Sequence, residues 1–106
     1  MFKLFFWKNN KIIDDFAINL ADELYSHIQP DAIEIYLADK KNKSAKKTER
    51  QLSDFIDRVR QFKKISSLGI YGKARLHLTF TERLNELGYN KKLADKINEI
   101  ILLKTP

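Results

Sequence analysis

The chain has no cysteine, three glycines, two prolines and two histidines in 106 residues. Without cysteine there is no disulfide, no thiolate metal site and no cysteine nucleophile. The two histidines, His27 and His77, fall on different expected helices and stand out of ligand spacing with any carboxylate, so no metal centre and no cofactor is implied. Long apolar runs are also missing. The longest are Leu4–Trp7 and Ile100–Leu103, far below the roughly 20 residues of a membrane-spanning helix. Met1-Phe2-Lys3 followed by apolar residues has the beginnings of a signal peptide, but the apolar part is short and no small-residue cleavage site follows. The expectation is a cytoplasmic protein.

The glycines are confined to one block. Gly69, Gly72 and Gly88 are the only ones, so the turns that need φ > 0 are expected there. A long helix should end at Gly69, a second should run from about Gly72 to Leu87, and a third should start at Asn90. Gly88 suits the position just past a helix end, with Tyr89 supplying the hydrophobic contact that accompanies it.

What the chain does have is a 43% hydrophobic content, enough for one compact core, and residues 1–106 read as one domain. Residues 1–9 form an aromatic amino-terminal segment. Its Phe2, Phe5, Phe6 and Trp7 are candidates for hydrophobic contact, either with the domain core or with a partner or membrane surface. Asn10 is then read as an N-cap, with Asp14 and Asp15 in the first turns. Ile13, Phe16, Ala17, Leu20, Leu24, His27 and Ile28 recur at helical spacing over residues 11–28, and Pro30 ends that helix. His27 sits on this apolar stripe as a structural histidine. Residues 31–39 carry two patterns. Ile33, Ile35 and Leu37 alternate as in a strand, while Pro30 and Asp31 at a first turn favour a short helix.

Residues 40–47 read as a basic loop or a frayed helix start. From Thr48 the stripe Leu52, Phe55, Ile56, Val59, Phe62 marks another helix, continuing through Ile65 or Ser66. Arg50–Asp54, Asp54–Arg58 and Asp57–Arg60 are placed to pair on its outer face. From 72 to 87, His77, Phe80, Leu84 and Leu87 fit one helical side, and Leu78 falls off it. The last helix spans about Lys91 to Leu103. The fold class is therefore all-α, a single compact domain of four to five helices. The alternative is α+β, with residues 32–38 paired to residues 74–80 as two strands.

Two short patterns near the glycines bear on phosphate chemistry. Gly69-x-x-Gly72-Lys73 lacks the four-residue spacing and the following Ser or Thr of a phosphate loop. Gly69-Ile70-Tyr71-Gly72 resembles the GxxG loop of K-homology domains, which clamps nucleotide backbone between two helices. Its central Ile70 and Tyr71 stand where that family carries basic or small polar residues. The block is read instead as a helix-to-helix turn, with Ile70 and Tyr71 dropping into the core.

Charge is the remaining signal. The net charge is +6, and residues 40–75 carry twelve basic side chains against Glu49, Asp54 and Asp57. Such a segment attracts phosphate backbones, anionic lipid or an acidic partner. Candidate macromolecule-binding residues are Lys40, Lys41, Lys43, Lys46, Lys47, Arg50, Lys64, Lys73 and Arg75. Lys91 and Lys92 join them: two lysines in a first turn oppose the helix dipole, and with the free amides there they suit an anion. If the chain folds back at both turns, Lys73, Arg75, Lys91 and Lys92 come near one another. No catalytic set is visible. Asp14 and Asp15 are adjacent and point apart on a helix, and Ser66 and Ser67 lack a nucleophile context. The reading is a small non-enzymatic interaction or regulatory protein that binds another macromolecule, with a protein as the expected partner. The alternatives are nucleic-acid binding through residues 40–75 and membrane-surface association through Phe2–Trp7.

Overall fold

The computed structural model describes the backbone of residues 2–104 and the side chains of residues 10–101. It is all-α, with five helices: α1 Phe2–His27, α2 Pro30–Ala38, α3 Lys43–Ser66, α4 Ile70–Leu87 and α5 Lys91–Lys104. No strand occurs among the described residues.

Both ambiguous segments resolve by burial period. In α2, Ile33 and Tyr36 are buried and Ile35 is exposed, a spacing of three rather than two. In α4, Leu76, His77, Phe80 and Leu84 turn inward and Leu78 faces solvent. The two-stranded alternative is thereby excluded.

α1 is longer than the expected 11–28. Asn10 lies inside it, half-buried, rather than at its start. The physical reason is that no glycine or proline occurs before Pro30, and once nucleated a helix extends at little cost per residue. Its inner face is Ile13, Ala17, Leu20, Ala21, Leu24 and Ile28. Ala17 and Ala21 are fully buried and allow α4 to approach closely. Ties between the two helices recur at a constant sequence offset: Asp14 to Arg75, Asp22 to Arg83, and the Tyr89 hydroxyl just past α4 donating to the Ile28 carbonyl. Rising numbers on both sides mean that α1 and α4 run parallel. α3 runs antiparallel to α1. Phe16 stacks on Phe62 with ring centroids 3.9 Å apart, Glu23 pairs with Arg58, and His27 lies 6.3 Å from the Phe55 ring. His27 is exposed, not on the inner stripe. Arg58 thus bonds across helices, whereas Arg60–Asp57 forms within α3 as its spacing suggests, at 2.9 Å.

The turns differ from the glycine-based expectation. α3 ends at Ser66, and the left-handed residue that ends it is Ser67 with φ 49°, while Gly69 has φ −78° and caps the start of α4. Gly72 sits inside α4, where a Cβ would come within 3.3 Å of Leu68 and 3.4 Å of Ile13. Its role is close packing rather than turning. Gly88 does turn, with φ 119°. The Tyr89 amide donates to the Leu84 carbonyl and the Gly88 amide to the Asn85 carbonyl, the paired bonds of a Schellman end.

These registers give an elongated body of 52 × 25 × 19 Å. The α2–α3 corner stands at one pole. Toward the other pole the carboxy-terminal end of α3 and the start of α4 meet α1 near Ile12 and Ile13, and the α1 backbone runs on about 15 Å past them to Phe2.

Candidate macromolecule-binding surface

The basic residues sort into three groups. Lys40, Lys41, Lys43, Lys46, Lys47 and Arg50 gather at the α2–α3 corner and are all exposed. The supposed loop 40–47 is mostly helix. Asn42 caps α3 by accepting from the Ser44 amide at 3.0 Å, so Lys43 is its first residue. Ala45, Thr48 and Leu52 turn inward, which leaves Lys43, Lys46, Lys47 and Arg50 projecting on the outer side at spacings of three and four. Among the described residues, none of the six is in an ion pair; Lys40 lies over the Tyr36 ring at 5.7 Å.

The second group is tied up internally. Arg75 grips Asp14 in a two-pronged contact, Nε to Oδ1 at 2.9 Å and Nη2 to Oδ2 at 2.8 Å, and Nη1 reaches the Tyr71 hydroxyl at 3.3 Å. The Arg75 hydrogen bond, foremost, holds the Asp14 carboxyl below the usual carboxylate range. Thr79 adds a donor to the same oxygen at 3.2 Å. Arg83 is likewise bound to Asp22 at 2.8 Å. Arg75 is therefore a structural residue, and it leaves the candidate surface.

The remaining candidates are dispersed. Lys64 is exposed and Lys73 half-buried, both at the pole opposite the corner. Lys91 and Lys92 are exposed at the α4–α5 turn, where Asn90 accepts from the Leu93 amide at 2.8 Å. Lys73 and Arg75 do not approach Lys91 and Lys92. They sit at opposite ends of α4, about 20 Å apart along its axis. The side chains of Phe2, Phe5, Phe6 and Trp7 lie outside the described residues.

Beside the corner, α2, α3 and Ile100 of α5 border an open groove of about 540 Å³, lined also by Tyr36, Lys40, Glu49, Leu52, Ile56, Asp57 and Arg60. It offers apolar floor residues next to mixed charges. Burial is the main cause that raises the Tyr36 hydroxyl pKa.

One cluster was not singled out from sequence. Lys63 on α3 is only 7% exposed, and its Nζ lies 2.9 Å from Nε2 of buried His77 on α4. His77 Nδ1 is 2.5 Å from Oδ1 of Asn98 on α5. An ammonium only donates and an amide oxygen only accepts. His77 is therefore neutral, with its proton on Nδ1. Burial pushes the Lys63 ammonium down to about 8, and burial likewise lowers His77. The signal for Lys63 was available: it follows Val59 by four and Ile56 by seven, on the apolar stripe. The cluster joins three helices and opens onto no described cavity, so it acts as a polar stitch. Among the described residues, no group of three or more His, Cys, Asp or Glu is arranged to hold a metal, and no helix is long and apolar enough to cross a membrane.

No protein-family model, curated protein or solved structure matches this chain.

Proposed function

We propose that this chain is a small non-enzymatic interaction protein that docks an acidic segment of another protein on the α2–α3 corner. One observation carries the reading. Six exposed cations between Lys40 and Arg50 lack ion-pair partners among the described residues, while Arg58, Arg60, Arg75 and Arg83 are all paired. Two of the six also cost the helix stability. Lys43 and Lys46 stand in the first turns of α3, which has no acidic residue at its start, and a cation there opposes the macrodipole by a few tenths of a kcal/mol. Residues held against a local preference are candidates for function. The adjoining groove supplies apolar contact through Tyr36, Leu52 and Ile56, so the surface combines steering charge with burial.

A second reading, nucleic-acid binding, is favoured by the same outer stripe of Lys43, Lys46, Lys47 and Arg50 taken alone, since a row of cations also suits a phosphate backbone. Titration calorimetry at low and moderate salt, with a polyglutamate peptide and with a mixed-sequence oligonucleotide, separates the two. Docking of acidic protein predicts that the peptide binds and that K43E/K46E/K47E/R50E abolishes binding. Binding of the oligonucleotide alone, with a steep loss in salt from counterion release, transfers the function to nucleic acid. If neither probe binds the wild type at low salt, the corner is not a docking surface.

A further inference from the structure

The pole opposite the corner is apolar at its surface. Ile70, the first residue of α4, is 91% exposed, Ile65 in the last turn of α3 is 82% exposed, and Ile12 and Tyr71 are each 53% exposed. They belong to one end of the molecule. Gly72 packs against Ile13, the neighbour of Ile12. Phe62, one turn before Ile65, stacks on Phe16 one turn after Ile12. Ile65 and Ile70 are joined by the short turn through Ser67 and Gly69, and around Gly69 there is open space. Nearly bare isoleucines at adjoining helix ends are unusual on a soluble surface, where large apolar residues clustered together mark a contact site.

Charge decides what covers them. Lys11 and Lys64 are exposed and Lys73 half-buried at this end, against exposed Asp15; Asp14 is already held by Arg75. A second copy docking pole to pole about a two-fold axis would set these lysines against their own images. An anionic surface that also accepts apolar side chains satisfies both features. The α1 backbone reaches the same pole, and the sequence preceding Lys11 is Phe2-Lys3-Leu4-Phe5-Phe6-Trp7-Lys8, again apolar residues between lysines.

We infer that this pole is a membrane-surface contact, in which Ile65 and Ile70 enter the interface of an anionic bilayer and Lys11, Lys64 and Lys73 lie at the headgroups. The chain rests on the leaflet rather than crossing it, and the α2–α3 corner is held away from the lipid by the length of α3, about 30 Å between Lys43 and Lys64. Ile65 and Ile70 are the wedge because they are the most exposed large apolar side chains among the described residues. The lysines supply attraction that decays within a Debye length of the surface.

Vesicle flotation of the full chain tests this, with mixed phosphatidylserine–phosphatidylcholine vesicles and with phosphatidylcholine alone. The wild type should float with the mixed vesicles and remain at the bottom with phosphatidylcholine. I65S/I70S changes only exposed positions, so its helical content and melting should match wild type. Its vesicle partitioning should fall by about tenfold or more, given the apolar area withdrawn from the interface. K43E/K46E/K47E/R50E, altered at the far corner, should float as wild type does. The inference is overturned if wild type does not float, or if I65S/I70S floats equally well. It is also overturned if the corner variant alone loses flotation, or if I65S/I70S abolishes a dimer seen by sedimentation while vesicles bind neither protein.

Discussion

Lys63 shows how a single side chain can be costly and still be kept. Its ammonium is nearly buried, with Nζ 2.9 Å from the His77 ring. The pKa falls from 10.5 to about 8, so between these values the unfolded chain binds more protons than the folded one. Stability therefore rises with pH through that window and is lost as pH falls back through about 8. His77 shifts in the same direction, so it adds a further loss as pH falls below its ordinary value of 6.5. Replacing Lys63 by methionine keeps the stem that packs on the core and removes the charge. The expected outcome is a gain of about 1–2 kcal/mol at neutral pH, together with loss of the rise in stability between pH 8 and about 9.5, below the range where the buried Tyr36 and Tyr89 hydroxyls bend the profile. Urea melts of both proteins across that range check it. A loss of stability with an unchanged profile would show that the ammonium is better satisfied than its burial suggests.

At the scale of elements, the unexpected feature is the end of α3. The chain has two glycines within five residues of Ser67, yet it is Ser67 that takes the left-handed conformation at φ 49°. A side chain there is strained by about 1–2 kcal/mol. Ser67→Gly should relieve part of that, gaining about 0.5–1 kcal/mol after the extra entropy of the unfolded chain. The opposite change, Gly88→Ala, places a Cβ at φ 119° and should cost about 1–2 kcal/mol. Thermal unfolding of the two single variants, shifted in opposite directions, is the measurement. Gly69 turned out to be a cap and Gly72 a packing contact, because glycine permits a left-handed turn without requiring one. Ile70 and Tyr71 were expected in the core on the same reasoning. They face solvent instead because α4 begins at Ile70 and its inner face starts at Gly72.

For the whole molecule, fold and docking are separable, because the α2–α3 cations take no part in the core. K43E/K46E/K47E/R50E should leave the melting curve unchanged or raise stability by a few tenths of a kcal/mol, since acids in the first turns of α3 suit its macrodipole. Circular dichroism melts in low salt check this. A destabilisation above about 1 kcal/mol would mean that these cations serve the fold, and would remove the main support for their role in docking. The distribution of apolar and charged surface along the 52 Å axis belongs to this scale as well: Ile65 and Ile70 are bared among a few lysines toward one end, and six cations gather at the other.

The sequence alone pointed to an all-α chain of four to five helices and to the helix ends near Pro30, Gly88 and Lys91, while it left residues 31–39 between helix and strand and began α1 nine residues late. These depend on local spacing: apolar residues every three or four positions, proline at residue 30, a glycine fit for the left-handed turn at residue 88. It also gave the basic stretch at 40–50 as a candidate surface. It could not sort the cations, because Arg75 and Arg83 find Asp14 and Asp22 across a parallel helix pair, 61 residues apart in each case, and no local pattern encodes a partner at that distance. The same holds for the stitch of Lys63, His77 and Asn98, where three helices each contribute one residue. Local periodicity assigns a residue to a helix and a face. Which faces meet, and therefore which charges are consumed and which remain for a partner, is decided only when the helices pack.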